Sequence, residues 1–111
     1  GISNVERVLS RETNVPLPEG CADAALLCNV LHEAEDPAAL LAEARRLVRP
    51  GGRLLVVEWV RRQTPVGPPV EERLDPEPVR GMAEGAGWRF VAAVDAGDYH
   101  WGLLFTAGQE G

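Results

Sequence analysis

The sequence predicts an α/β fold whose strands lie mostly parallel in an open sheet, and three observations carry that reading. One segment, residues 36–49, has the spacing of an amphipathic helix. Two continuous apolar runs, 24–31 and 54–60, flank it without the alternation expected of half-exposed strands. The last third then holds two β-rich runs, 88–94 and 101–107, separated by the six residues from Asp95 to His100. With 111 residues, 45% of them apolar, the chain has material for one modest core and therefore at most one domain.

The helix is the clearest element. Asp36 and Pro37 supply an N-cap and a first-turn residue, and Leu40, Leu41, Ala44, Leu47 and Val48 recur on one face. Arg45, Arg46 and Arg49 fall near its end, where positive charge complements the helix dipole, and they read as a solvated face; Pro50-Gly51-Gly52 forbids continuation. A strand, a helix and a second strand, with both strands apolar throughout, form one crossover unit of a parallel sheet. Residues 61–74 carry Pro65, Gly67, Pro68 and Pro69 and read as a loop, either a lid over a site or a plain connector. A second Asp-Pro pair, Asp75 and Pro76, opens a helix with Val79, Met82, Ala83 and Ala86 on one face and Gly87 at its end, weakened by Gly81 and Gly85. The terminal runs are spaced for a hairpin. Residues 5–9 are a candidate short strand, followed by a polar, proline-marked segment.

Composition excludes several functions. Seventeen acidic residues against eleven basic ones give a net charge of −6, which repels a phosphate backbone and argues against a nucleic-acid partner. No apolar run approaches the roughly 18 residues that span a bilayer, and no basic-then-apolar leader opens the chain, so a soluble cytoplasmic protein is expected, with no membrane partner. All the basic residues are arginine. Cys21 and Cys28 are seven apart, which fits neither a metal knuckle nor a redox pair; Cys28, inside an apolar run, is expected to be a buried structural thiol, and no metal site is expected.

Open α/β sheets bind ligands outside the carboxyl ends of their strands, which directs attention to the residues just after Leu9, Val30, Val60 and Val94. There, three linked segments resemble the class I S-adenosylmethionine-dependent methyltransferases, most closely the small-molecule subgroup that includes ubiquinone-biosynthesis-like enzymes. Asn14-Val15-Pro16-Leu17-Pro18-Glu19-Gly20 with Ala22-Asp23 is similar to the family's Leu-Pro-Phe stretch leading into its fourth strand. Asn29-Val30-Leu31-His32-Glu33, then Asp36-Pro37, resembles the end of that strand and the start of the next helix. Arg46-Leu47-Val48-Arg49-Pro50-Gly51-Gly52 resembles the family's Arg-x-Leu-Lys-Pro-Gly-Gly motif, with Arg49 in the lysine position. The closing Asp95-Ala96-Gly97-Asp98-Tyr99-His100-Trp101-Gly102-Leu103 is similar to the hairpin that gives the family an antiparallel final strand.

The resemblance implies a partial Rossmann-like methyltransferase sheet holding the C-terminal strands. Run 24–31 is expected beside 54–60, then 101–107 as the antiparallel strand, then 88–94 at the far edge. The family's acidic-x-Gly-x-Gly turn and the acidic residue after its second strand do not occur here. Gly51-Gly52 follows a helix and precedes a strand, the reverse of the context such a turn requires. The expectation is therefore that the N-terminal glycine-rich half is missing and that residues 5–9 correspond to the family's third strand.

The resemblance also assigns roles. Arg11, Glu12 and Thr13 fall where family members contact adenine, with either Glu12 or, if the alignment slips by one, Arg11 in the acidic position; a solvated loop charge is the plainer alternative for Glu12. Asn29 and Val30 fall where S-adenosylmethionine's methionine part is held, although Asn29 in that place also suits a strand-end cap. His32 and His100 are the candidate catalytic residues, and Glu33, Glu58 and Tyr99 the candidate acceptor contacts; packing at a helix entrance and turn positions are the alternatives for the histidines. Glu58 interrupts an apolar strand and is costly there unless paired or near the strand's open end. Methyl transfer to a small-molecule acceptor by the intact parent is the function implied, with this chain alone inactive. The alternative is a non-catalytic remnant that acts as an interaction module, and in either case an exposed sheet edge is expected to support a homo-oligomer.

Overall fold

Asp36 starts the first helix as the sequence predicts: its Oδ1 accepts the Ala39 N–H at 3.0 Å, with Pro37 in the first turn. This is helix α1, Pro37–Leu47, in a computed structural model of the chain that describes residues 20 and 22–108. The helix ends two residues earlier than expected, because Arg49 precedes a proline and is steered away from helical angles; Val48 is already extended. Strand β2, Val48–Trp59, therefore runs straight through Pro50-Gly51-Gly52.

Strand β1, Ala22–Cys28, pairs with β2 in parallel, as the crossover reading requires. Their register jumps from Ala22 opposite Val48 to Ala24 opposite Arg53, so the Pro-Gly-Gly segment bulges between them. Helix α2, Pro76–Gly85, leads into β3, Trp88–Asp95, and β4, His100–Ala107. The sheet order is β1-β2-β4-β3, with β4 antiparallel to both neighbours. Asp75 makes no side-chain cap on α2 and instead meets Arg61 at 3.2 Å.

Both helices cover one face of the sheet. Ala25 and Leu27 of β1, Leu54 and Val56 of β2, and Leu103 and Phe105 of β4 are buried in one cluster with Leu40, Leu41, Ala44 and Leu47 of α1 and Val79 and Ala83 of α2. On the opposite face Leu26, Leu55 and Leu104 stand in one row across three strands and are only half-buried. Cys28 lies at the end of that less covered face and is exposed, which corrects the expectation of a buried thiol: the apolar run tells that the strand is in the sheet, not which face each residue takes. Cys21 lies outside the described residues.

Arg45 is a second correction. It is buried, not solvated, and its guanidinium donates to the carbonyls of Val48 at 3.2 Å, Gly87 at 3.3 Å and Gly108 at 2.6 Å while lying over the Trp88 ring. One side chain thus ties the end of α1 to the turn before β3 and the end of β4, at the pole opposite the strand ends that the family uses. Arg46 pairs with buried Glu43 through both its Nε and Nη2, and Arg49 meets Asp23 at the surface.

Candidate functional site

The parallel exits of β1 and β2 create the site. At the end of β1, Asn29 adopts a left-handed backbone with φ of 59°, a conformation asparagine tolerates better than most side chains. Its N–H still donates to the Val57 carbonyl at 2.8 Å, so the chain leaves the sheet only after this residue. That turn ends the strand three residues before the predicted limit and sends Leu31–Glu33 into one turn of 3-10 helix. Leu31 is buried beneath it, and Val30 packs against the core.

Glu58, one residue before the end of β2, has no exposure at all. A buried carboxyl in an apolar strand needs partners, and it has two. Oε2 accepts the Leu31 N–H at 2.8 Å, and Oε1 lies 2.8 Å from Nδ1 of His32. The His32 side chain is only 7% exposed. The strand-interrupting acid of one run and the histidine that follows the other are therefore one unit, which ties the exits of the two strands together. Asn29 Oδ1, beside it in sequence, is buried and has no hydrogen-bond partner among the described residues.

A second group lies across β2 and β4. Trp59 and His100 are opposite each other in the ladder, and their rings stack at 4.2 Å with planes tilted by 40°. Nε2 of His100 is buried without a partner among the described residues. Tyr99 is at the surface; its carbonyl accepts the Val60 N–H at 2.8 Å, so the hairpin tip and the exit of β2 are joined through main chain. Glu33 is exposed. The structure thus brings Asn29, His32 and Glu58 together at the β1 and β2 exits and sets Tyr99 and His100 at the adjoining β2–β4 end. Arg11, Glu12 and Thr13, and the candidate strand 5–9, lie outside the described residues.

The loop of residues 61–74 is neither open nor loose. Arg73, 4% exposed, donates to the carbonyls of Pro68 at 2.9 Å, Val60 and Arg62 at 3.2 and 2.8 Å, and Val66 at 3.4 Å. Its guanidinium also lies 5.3 Å from the Trp59 ring centroid, and Gly67, with φ of 108°, passes so close to that ring that an added Cβ would stand 2.9 Å from it. Arg62 reaches the Asp98 carbonyl at 2.8 Å and Trp101 Nε1 reaches that of Leu74 at 3.0 Å, which fixes both flanks of the loop to the terminal hairpin. Sequence reasoning missed Trp59 and Arg73. Trp59 carried a signal, its place next to Glu58 at a strand end; nothing distinguishes Arg73 from Arg61 or Arg62 in the sequence.

Among the described residues no group of three or more histidines, cysteines or acids is placed to hold a metal ion, and no helix is long and apolar enough to cross a membrane.

Residues 2–56 match the family model described as Methyltransferase domain. The chain is 36% identical over 59 residues to the ubiquinone/menaquinone biosynthesis C-methyltransferase UbiE of Acidiphilium cryptum, a match covering 53% of this chain and 24% of that protein. It is 48% identical over 54 residues, 49% of the chain, to 16% of an uncharacterized 37.1 kDa protein in transposon TN4556 of Streptomyces fradiae. The fold superposes on a SAM dependent methyltransferase from Aquifex aeolicus with a TM-score of 0.81 and 29% identity, covering 87% of this chain and 52% of that one. The chain thus spans about half of that structure and about a quarter or less of these curated relatives. The parallel β1–β2 pair, the antiparallel β4 and these matches agree: the chain is part of a class I S-adenosylmethionine-dependent methyltransferase, a family whose cofactor is S-adenosylmethionine.

Proposed function

We propose that the natural full-length protein transfers a methyl group from S-adenosylmethionine to a small-molecule acceptor at the rim formed by the exits of β1 and β2. The observation that carries this reading is that those exits, parallel neighbours in the sheet, hold Asn29, His32 and Glu58 at one place. The bound cofactor supplies an electrophilic methyl group on a sulfonium. The protein's part is to bind, to align and to exclude water, since direct displacement needs little covalent help.

Asn29 fits the cofactor's chemistry: its Oδ1 is an acceptor buried without a partner at the strand exit, suited to an ammonium or hydroxyl donor. Val30 beside it, with Arg11, Glu12 and Thr13, completes the proposed cofactor contacts, while His32, Glu33, Glu58, Tyr99 and His100 are proposed to face the acceptor. Calorimetry on the full-length protein tests this. Asn29→Ala is expected to weaken S-adenosylmethionine binding about tenfold, the worth of one buried hydrogen bond. An unchanged affinity in a folded variant removes Asn29 from the site, and no binding by the wild type ends the methyl-transfer reading.

We further propose that residues 1–111 alone hold the cofactor weakly, since their sequence has no acidic-x-Gly-x-Gly turn. β1 has a strand on one side only among the described residues, and the row of Leu26, Leu55 and Leu104 beside it is half-buried. These features support self-association of the 111-residue chain through that edge. Light scattering giving a folded monomer at high concentration counts against it.

A further inference from the structure

The exits of β1 and β2 lie at an acidic pole of the molecule. Both helices begin there and the hairpin between β3 and β4 turns there, so side chains distant in sequence share one rim. Asp36 caps α1 and Glu77 lies in the first turn of α2, where a carboxylate answers the helix dipole. Glu33, Glu35, Glu71, Glu72 and Asp98 stand outside both α-helices. Their carboxylates are exposed and make no hydrogen bond or ion pair among the described residues. The arginines of this pole are all engaged: Arg73 with four carbonyls, Arg61 with Asp75, and Arg62 with the Asp98 carbonyl. At the opposite pole Arg53 and Arg89 are exposed on either side of Thr106, without a partner among the described residues. Charge is thus separated along the strands, negative at the exits. Two polar atoms lie buried at that negative rim without a partner among the described residues, Oδ1 of Asn29 and Nε2 of His100, so the rim is built to receive a polar molecule.

We infer that this field selects the charge of the methyl acceptor: the preferred acceptor is a small molecule with a positive charge, on an ammonium or guanidinium group apart from the atom that is methylated. The inference rests on the methyl-transfer reading and names the acceptor class for it. Glu33 follows His32 and Asp98 stands two residues before His100, which makes these two carboxylates the specificity-determining residues. A carboxylate or phosphate on the acceptor is repelled at the rim and meets no disengaged arginine there among the described residues. A cation is drawn to the rim, and its attraction grows as water is excluded. A protonated amine has no lone pair to offer a methyl group, so the charged group and the reacting atom are separate parts of the acceptor.

Two measurements on the full-length protein test this. Paramagnetic relaxation of backbone amides by a trimethylammonium nitroxide and by its carboxylate counterpart maps the field. The amides of Glu33, Trp59 and Tyr99 are expected to relax more with the cation, and those of Arg53 and Arg89 more with the anion. Calorimetry on the S-adenosylhomocysteine complex, which cannot react, then compares three phenols of similar shape: tyramine, tyrosol and 4-hydroxyphenylacetate. At low ionic strength tyramine is expected to bind about tenfold more tightly than tyrosol, and the anion more weakly than either. Salt is expected to shrink both differences. Glu33→Gln combined with Asp98→Asn is expected to lower the tyramine-to-tyrosol ratio about threefold, while Glu84→Gln at the opposite pole leaves it unchanged. Should the double variant fail to fold, the salt dependence and the nitroxide map carry the comparison. Tyramine bound no more tightly than tyrosol overturns the inference, as does a ratio indifferent to salt or a rim relaxed more by the anion. Absence of S-adenosylhomocysteine binding strikes the methyl-transfer reading instead and leaves the nitroxide map standing.

Discussion

Replacing Arg73 with alanine is expected to lower stability by about 3 kcal/mol and to open the loop of residues 61–74 to protease. The physical reason is an asymmetry: the guanidinium donates to four backbone carbonyls, and its removal leaves those of Arg62 and Pro68 without a donor among the described residues, while those of Val60 and Val66 keep only the Arg62 N–H and the Thr64 hydroxyl. The Trp59 ring loses the cation on its face at the same time. Arg73→Lys is not expected to rescue, because an ammonium is a point charge with three donors and cannot span four carbonyls as the planar fork does. Denaturant midpoints for the three proteins, with limited proteolysis at the loop, check both statements. A midpoint unchanged in Arg73→Ala would show that the loop holds its shape without the clasp.

Gly52→Ala is expected to cost about 3 kcal/mol, although the substitution adds one methyl group. A Cβ at this position would stand 2.3 Å from Cγ1 of Val48 and 2.6 Å from the carbonyl oxygen of Asp23 in β1. The second contact is backbone, which cannot turn aside, so β1 and the start of β2 must separate. Gly81 provides the control. It sits in α2 with nothing within 4 Å of a built Cβ, and Gly81→Ala is expected to raise stability by about 0.5–1 kcal/mol through helix propensity and the unfolded chain. Thermal or denaturant unfolding of both variants against the parent decides it: equal midpoints would mean that the Pro-Gly-Gly bulge yields to the extra methyl.

That contrast shows what the sequence could and could not tell. Pro50-Gly51-Gly52 was legible as a place where a helix stops, because proline and glycine act on local backbone angles. Its second role, a close approach to Asp23 in the register jump between β1 and β2, depends on a segment far away in the chain and has no local signature. The parallel pair was legible from apolar runs either side of a capped helix, and the hairpin from the short turn at residues 95–100. The order that sets 101–107 between 54–60 and 88–94 was legible only through the resemblance to the methyltransferase family. Glu58 was legible as an anomaly, since an acid in an apolar strand must be accounted for; its partner His32 is 26 residues away and emerges only once the strands lie side by side. The buried arginines were not legible at all. Arg45 and Arg73 read as surface charge by composition, and what buries them is a set of carbonyls, which every residue carries and no residue type announces. The extent of the first strand was overread for a similar reason: residues 29–31 are apolar enough to continue, and only the left-handed turn at Asn29 diverts them.

The Arg73 contacts carry an evolutionary consequence. Because the guanidinium hydrogen-bonds only main-chain oxygens, the identities of Val66 and Pro68 are not read by the grip that fixes their path. Side chains at these two positions can drift while the loop's length and course persist, so the surface beside Trp59 can be recut without reopening the question of how the chain folds.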